Sequence, residues 1–383
     1  MNAGKTILSI ITFTSLFFIQ SCQKETRKTE TINEEIAAAP NTGAAVGTTV
    51  TPPQVYGVWH AGNDFCIWGT VRTVTEFDSK NHWLIDRGDG TGRPSVNIVI
   101  LSFVHPLKLL NKTTDATTVN GIPRGMTPDI IDYFKSRGIR VMLSIGGITY
   151  TDAWDEALAA NATQLGLNAA EAAINFGVGI EIDYEQNRNP KLPALQQFIT
   201  AYRSQIPYDA TGNNHAARLT IDLAAGDRWL IDICRKATAE WLTTSNPVLD
   251  YANAMVPARQ PSLSSAITNW QEHVDGKPQY GPPIPPLAPA KFTGGLYLVD
   301  RKPIAECINF NNSLQKSTSG FVQSVLPNGA GSTPGMLGYM FWAAECPGTR
   351  SVCTTPPNSC EGGIGAGVTH FNIPIPMPPL RQQ

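Results

Sequence analysis

The sequence predicts an α/β fold, a (β/α)8 barrel that forms a single catalytic domain behind an N-terminal tether. Short apolar runs alternate with helical stretches, which is typical of a parallel sheet with crossover helices. Eight such runs occur over roughly 310 residues, a length within the usual range of this barrel. One of them carries acidic side chains and ends in a polar loop, at the position where such barrels place their chemistry.

The eight predicted strands share an apolar centre bounded by glycine, proline or polar residues. They span residues 55–59, 96–104, 141–145, 179–184, 219–224, 251–256, 295–299 and 337–342. The composition fits one large core, because 42% of the 383 residues are hydrophobic and only 16% are charged.

Three connecting helices have clear signals. Thr127 offers an N-cap before Pro128 in the first turn, and Gly138 stops the chain after an apolar stripe. A second helix is predicted over about 163–176 and ends at Gly177, directly before the acidic strand. A third carries apolar residues at helical spacing before Pro207, a pattern that indicates core packing.

The acidic strand is the candidate site. Because side chains alternate across a strand, one face receives three carboxyl groups and the other three apolar groups. The carboxyl groups belong to Glu181, Asp183 and Glu185, and the apolar groups to Ile180, Ile182 and Tyr184. Like charges at this spacing in a semi-enclosed site cannot all ionise, so at least one carboxyl should keep its proton near neutral pH. The plainer alternative is a solvated edge strand, but the polar loop 186–190 and the upstream pair Gly146 and Gly147 favour a barrel mouth.

Two segments carry a resemblance to a known family. Residues 144–147, Ser-Ile-Gly-Gly, resemble the SxGG motif of family 18 glycoside hydrolases, and residues 178–185 resemble their DGxDxDxE motif. That family comprises chitinases and endo-β-N-acetylglucosaminidases. The resemblance implies that Glu185 is the general acid and base and that Asp183 orients the acetamido group of the substrate. Glu181 stands where the family has its second aspartate, and Val178 replaces its first.

The resemblance covers about residues 56–345 and implies further substrate contacts. Trp342 matches the tryptophan that forms the floor of the sugar subsite, an apolar surface suited to a pyranose face. Met255 matches the methionine of the sixth strand, but Pro257 replaces the tyrosine that would bind the acetamido group. Three residues are candidates to compensate for that tyrosine: Tyr184, Tyr150 and Arg259. The remaining substrate-binding residues are taken to be Gly146 and Gly147.

The function that the resemblance implies is retaining, substrate-assisted cleavage of β-1,4-linked N-acetylglucosamine in chitin or chito-oligosaccharides, in an endo mode. One alternative keeps the mechanism and acts on the chitobiose core of N-glycans. Another is a surface glycan-binding protein on a barrel that has lost turnover, which the changes at Val178 and Pro257 favour and the retention of Asp183 and Glu185 opposes.

Other function classes find no support. A net charge of −2 without basic runs gives no electrostatic case for nucleic acid. No phosphate-binding loop or dinucleotide fingerprint occurs, and the cysteine spacing fits no zinc template well. We therefore expect no cofactor and no metal, and a monomer that binds a β-linked N-acetylglucosamine polymer or oligosaccharide.

The N-terminus predicts export. Residues 1–21 resemble a bacterial lipoprotein signal, with an apolar run too short to span a bilayer and Cys22 as the lipidated residue. An ordinary signal peptide is the alternative. Residues 22–53 contain almost no large apolar side chains and are predicted to be a flexible linker. The expected location is the bacterial outer membrane or cell surface, with the protein held to the membrane by its lipid.

The barrel is assigned to residues 54–348, and a Cys/Gly/Pro-rich tail lying over it to 349–383. Without Cys22 the cysteines form an even set in an exported chain, which predicts disulfides with fifteen formal connectivities. The six are Cys66, Cys234, Cys307, Cys346, Cys353 and Cys360. Cys346 is expected to pair within the C-terminal cluster or with a neighbouring barrel loop.

Overall fold

The computed structural model describes residues 54–63, 66–86, 90–224, 229–255, 263–297, 335–342 and 374–380. The strands are β1 Val55–His60, β2 Ile98–Val104, β3 Thr118–Val119, β4 Ile122–Pro123, β5 Arg140–Gly146, β6 Gly179–Asp183, β7 Leu219–Ala224, β8 Ala252–Met255, β9 Phe292–Tyr297 and β10 Gly338–Trp342. The helices are α1 Val74–Ile85, α2 Pro106–Leu110, α3 Pro128–Lys135, α4 Thr151–Phe176, α5 Leu192–Gln205, α6 Ile231–Lys236 and α7 Leu263–Asp275. The predicted signal, Cys22, the linker, Pro257 and Arg259 lie outside the described residues.

Eight of these strands close a parallel barrel in the order β1, β10, β9, β8, β7, β6, β5, β2. The predicted (β/α)8 barrel is therefore confirmed. Short strands β3 and β4 form a separate antiparallel pair. In the closed ring, β6 and β10 are four strands apart in either direction, so the acidic strand and the strand that ends at Trp342 lie on opposite sides of the barrel.

The local signals explain where α3 and α4 begin and end. The Thr127 side chain accepts a hydrogen bond from the backbone N–H of Ile130 at 3.3 Å, as expected of an N-cap. Helix α4 has a non-helical residue inside it at Asn161, whose side chain accepts from Gln164 N at 2.9 Å. Asn161 thus caps the second half of α4, which is the helix predicted over 163–176. Gly177 ends it with a φ of 60°, a left-handed conformation that glycine adopts without strain.

Strand β9 corrects a predicted boundary. The sequence predicts a strand over 295–299, but β9 begins at Phe292 and includes both Gly294 and Gly295. Gly294 lies against the Trp270 ring, because a Cβ placed on it would be only 2.6 Å from Trp270 Cε2. Glycine here permits close packing of helix on strand, and does not mark a strand boundary.

The N-terminal end of the barrel is covered by the described part of the C-terminal tail, residues 374–380. Asn97 donates to the carbonyl oxygen of Pro374 at 3.1 Å, and Gln54 donates to that of Pro379 at 2.9 Å. The Met377 side chain is only 6% exposed and packs with residues of the barrel interior such as Val55 and Ile98. This segment therefore closes the end of the barrel opposite the acidic side chains.

Two described cysteines bear on the disulfide prediction. Cys66 is disulfide-bonded, whereas Cys234 is a buried free thiol 3.9 Å from His273 Nδ1. A framework that pairs all six cysteines is therefore wrong. The reason is that Cys234 is in α6, packed in the core, where a thiol serves as a small apolar side chain. Cys307, Cys346, Cys353 and Cys360 lie outside the described residues.

No helix among the described residues is long and apolar enough to cross a membrane.

Candidate active site

Strand β6 brings the three predicted carboxyl groups to one place. Ile180 and Ile182 belong to the core between barrel and helices, so the alternate residues face the interior. The exposed fraction rises along the chain from 0% at Glu181 through 3% at Asp183 to 5% at Glu185. The acids therefore run from deep in the barrel towards the C-terminal end of the strand, which is the functional end of such barrels.

Glu181 is held by donors from strands remote in sequence. Trp59 Nε1, on β1, lies 2.9 and 3.1 Å from the two carboxylate oxygens of Glu181. Asn253 Nδ2, on β8, donates to Glu181 Oε1 at 2.7 Å. The amide of Asn253 is oriented by Thr293, whose hydroxyl donates to Asn253 Oδ1 at 2.6 Å. Glu181 is thus a fixed part of the site and is too enclosed to reach a substrate in the mouth.

A fourth carboxyl group, on Asp222 of β7, joins this cluster. Its side chain is 2% exposed and shares a hydrogen bond with Glu181. Burial raises the pKa of Asp222 well above its ordinary value, and the charges of Glu181 and Asp183 raise it further. Burial also raises the pKa of Glu181, against the lowering effect of its hydrogen bonds with Asp222, Trp59 and Asn253. The sequence predicts a retained proton on β6, and the pKa of a carboxyl group on the neighbouring strand is raised as well.

The glycine pair after β5 allows close backbone packing beside Asp183. A Cβ placed on Gly146 would lie 1.9 Å from the Asp183 carbonyl oxygen, so no other residue fits without moving the strand. Gly147 N donates to the same oxygen at 2.9 Å, and Trp154 Nε1 does so at 3.1 Å. The structure therefore gives Gly146 and Gly147 a role in fixing the Asp183 backbone.

Tyr184 is on the wrong face to bind substrate. Its side chain is 1% exposed, its ring lies 5.6 Å from that of Trp154, and its hydroxyl donates to Asp155 Oδ1. The hydroxyl also accepts from Lys191 N at 3.0 Å. Tyr184 follows the same alternation as Ile180 and Ile182, so it packs outside the barrel. The prediction that it contacts the substrate, or replaces the missing tyrosine, is corrected.

Aromatic side chains lie across the mouth from the acids. Trp342 ends β10, and its ring stacks on Phe103 with centroids 5.6 Å apart and an interplanar angle of 29°. Tyr150 packs against the same small cluster and lies 4.7 Å from the His105 ring. Met255, at the end of β8, is partly buried. Trp342 and Tyr150 therefore belong to one aromatic cluster with Phe103.

Three residues that surround Glu181 were not predicted from the sequence: Trp59, Asn253 and Asp222. A signal for the last two existed. In a strand buried on both faces, a near-continuous apolar run is expected, so polar residues alternating with apolar ones indicate a polar lumen. Thr220 and Asp222 follow this pattern in β7, and Asn253 follows it between Ala252 and Ala254 in β8. Trp59 had no such signal.

No group of three or more His, Cys, Asp or Glu side chains that could hold a metal ion occurs among the described residues. No protein-family model matches the sequence, and no curated protein matches it.

Solved structures of chitinases and endo-β-N-acetylglucosaminidases resemble this chain. A GH18 chitinase from Pseudoalteromonas aurantia is 14% identical with a TM-score of 0.46, over 65% of this chain and 86% of that one. A chitinase from Rhizomucor miehei is 13% identical with a TM-score of 0.47, over 75% and 93%. An endo-β-N-acetylglucosaminidase from Cordyceps militaris is 15% identical with a TM-score of 0.44, over 83% and 92%.

Proposed function

We propose that this protein is a retaining glycoside hydrolase of the family 18 type, which cleaves β-1,4-linked N-acetylglucosamine with assistance from the substrate's own acetamido group. The observation that carries the proposal is the inward-facing series Glu181, Asp183 and Glu185, which leads to the functional end of a closed barrel. A solvated acidic edge strand, the plainer alternative, would expose these side chains.

Glu185 is the general acid in this proposal. It lies just beyond the end of β6 and is the most exposed of the three acids, so it is the one nearest to a sugar bound in the mouth. Protonation of the leaving oxygen by a positioned carboxyl group typically contributes about 10²–10⁴-fold to the rate. Trp342, on the opposite side of the barrel, would carry the apolar face of the sugar next to the scissile bond.

Asp183 is better placed to stabilise charge than to attack carbon. Alternate side chains on one strand face are about 6.5–7 Å apart along the strand, so Asp183 lies beside Glu185. A nucleophilic carboxylate in a retaining enzyme would have to face the acid across the anomeric carbon, about 5–5.5 Å away. The acetamido oxygen of the substrate is the better nucleophile, and Asp183 would stabilise the positive charge that develops on the resulting oxazolinium-like ring.

The test is hydrolysis of soluble chito-oligosaccharides by protein lacking residues 1–22, compared with a high-mannose glycoprotein and with fully deacetylated oligosaccharide. We expect new reducing ends from the acetylated substrate, none from the deacetylated one, and a first product of β configuration by proton NMR. Release from the glycoprotein alone would instead identify the N-glycan core as the substrate. Binding of oligosaccharide without any cleavage would identify a glycan-binding protein.

The lipid anchor is a separate part of the proposal and concerns residues outside the structure. If Cys22 is lipidated, a radioactive fatty acid should label the wild-type protein but not Cys22→Ala. Label that persists in the variant would mean that the lipid is attached elsewhere, and an unlabelled wild-type protein would favour an ordinary signal peptide.

A further inference from the structure

Asp222 is a buried acid for which the proposed mechanism has no use. It comes from β7, beside the acidic strand, and its carboxyl group is bonded to that of Glu181. We propose that Asp222 is a positioning residue whose protonated carboxyl group donates a hydrogen bond to the Glu181 carboxylate. The Asp183 carboxylate is then available to interact with the substrate. This deepens the proposed function and rests on it for its catalytic part only.

The strands bring Asp222 close to the carboxyl group of Glu181. In the ladder between β6 and β7, Glu181 pairs with Thr220, so Asp222 is the next residue on the same face of β7, towards the C-terminal end. Asp222 pairs with Asn253 in the ladder between β7 and β8. Asn253 itself reaches Glu181 on β6, two strands away, at 2.7 Å. The hydrogen bond from Asn253 to Glu181 therefore crosses the inner face of β7 near Asp222, because Asp222 is the residue that pairs with Asn253. This geometry agrees with the hydrogen bond between the carboxyl groups of Asp222 and Glu181.

A hydrogen bond between two carboxyl groups needs one proton, and the surroundings decide which group carries it. Both oxygens of Glu181 accept from Trp59 Nε1, and Oε1 also accepts from Asn253 Nδ2. These groups can only donate, so they favour the anionic form of Glu181. Asp222 Oδ1 is buried and has no hydrogen-bond partner among the described residues, and a lone buried oxygen favours the neutral acid. The proton therefore belongs to Asp222.

The charges near Asp222 also favour its protonated form. Glu181 and Asp183 come from β6 and Glu185 lies just beyond its end, and each raises the pKa of Asp222 by repulsion, after the larger effect of burial. Towards the N-terminal end, Arg218 directly precedes β7 and lies over the ring of Tyr251. Arg218 is bonded to Asp250 at 3.4 Å, so its charge is already neutralised there.

The consequence concerns Asp183. An anionic Glu181 buried in the barrel requires donors, and its nearest neighbour on the same face is Asp183. Asp222, Trp59 and Asn253 supply those donors. Asp183 is then not required to protonate its neighbour and can direct its charge at the acetamido group.

Infrared spectroscopy tests the protonation without any assay of activity. At pH 7 the difference spectrum between wild type and Asp222→Asn should show the loss of one carbonyl stretch of a protonated carboxylic acid. Asp115→Asn is the control, because Asp115 is ion-paired with Lys108 at 2.8 Å and should contribute no such band. If Asp222→Asn does not fold by circular dichroism, wild type with ¹³C-labelled aspartate should show a protonated band shifted by the label. An unshifted band, or no difference between wild type and a folded variant, overturns the proposal.

Kinetics test the positioning role. Asp222→Ala removes a donor to a buried charge and should lower kcat on chito-oligosaccharides by about 10–100-fold, with a smaller change in KM. Asp222→Asn keeps a donor of similar size and should recover activity to within about tenfold of wild type. Equal losses in the two variants, or a change in KM alone, would contradict a positioning role. If wild type shows no hydrolysis at all, the proposed function fails, whereas the infrared result still decides where the proton is.

Discussion

The two ends of the barrel interior differ in the groups that surround their buried charged side chains. At the N-terminal end Asp250 is paired with two arginines: it lies 3.4 Å from Arg218 and 3.2 Å from Arg203, and it accepts from Leu219 N at 2.8 Å. At the C-terminal end four carboxyl groups, those of Glu181, Asp183, Glu185 and Asp222, are gathered together. Pairing of opposite charges satisfies buried groups, whereas gathering like charges forces protons to be retained.

The comparison distinguishes charged groups that stabilise the closed end of the barrel from acidic groups that form the candidate active site. The N-terminal end is closed by residues 374–380, and Arg140 there donates to the Gly212 carbonyl oxygen at 2.7 Å. Burial, and then the nearby charge of Arg218, lowers the pKa of Arg140 to about 10, so this guanidinium still keeps its charge near neutral pH. The acids at the other end lie in the interior of a mouth lined with aromatic rings. Perturbed carboxyl groups in such a position are typical of catalytic sites.

The largest expected effect is at the C-terminal end. Glu185→Gln keeps the size of the side chain but has no proton to give, so hydrolysis of chito-oligosaccharides should fall by about 10²–10⁴-fold while oligosaccharide binding persists. Release of reducing ends and calorimetric titration measure the two. Glu156→Gln, on the exposed face of α4, is the matched control. A variant that turns over like wild type would show that Glu185 is not the acid.

Asp250→Ala tests the paired end. It leaves Arg218 and Arg203 without their shared partner, and loss of one member of a buried ion pair typically costs about 3–5 kcal/mol of folding stability. Denaturant unfolding measures this, and the kcat of the folded fraction should not change. Glu171→Ala is the control, since its pair with Lys112 at 2.6 Å is exposed and should contribute about 0–1 kcal/mol. Equal costs in the two variants would mean that burial of the Asp250 network is unimportant.

The acidic end should show a distinct dependence of stability on pH. Because the folded-state pKa of Asp222 is raised above 3.8, this group contributes stability that is present below that value and is lost as pH rises towards the folded-state pKa. Asp222→Asn cannot lose a proton, so its Tm relative to wild type should rise steadily from about pH 4 upward. Thermal unfolding of both proteins across this range is the measurement, and parallel curves would exclude the raised pKa.

The smallest effect is expected at the aromatic wall. Trp342→Ala removes the surface proposed to support the sugar and should raise KM by about tenfold, with a smaller effect on kcat. Trp342→Phe keeps an aromatic face towards Phe103 and should recover most of the affinity. A fall in kcat alone would place Trp342 outside the sugar subsite.

Several features of the fold and site follow from the sequence because they depend on neighbouring residues. Alternation along one strand is enough to put Glu181, Asp183 and Glu185 on a common face. Helix ends follow in the same way, from Thr127 at the start of α3 to Gly177 at the end of α4. The same rule, applied strictly, would have excluded Tyr184 from the site, since it shares the parity of Ile180 and Ile182.

The tertiary structure alone decided which groups surround those acids. Trp59 is 122 residues from Glu181 in the chain and Asn253 is 72, yet both donate to it because the barrel closes β1 and β8 around the same interior. The position of Asp222 beside Asn253 likewise follows from strand register, which no local pattern records. Spacing along the chain determines the face that a side chain occupies, whereas closure of the barrel determines which charges share that interior and therefore which of them holds the proton.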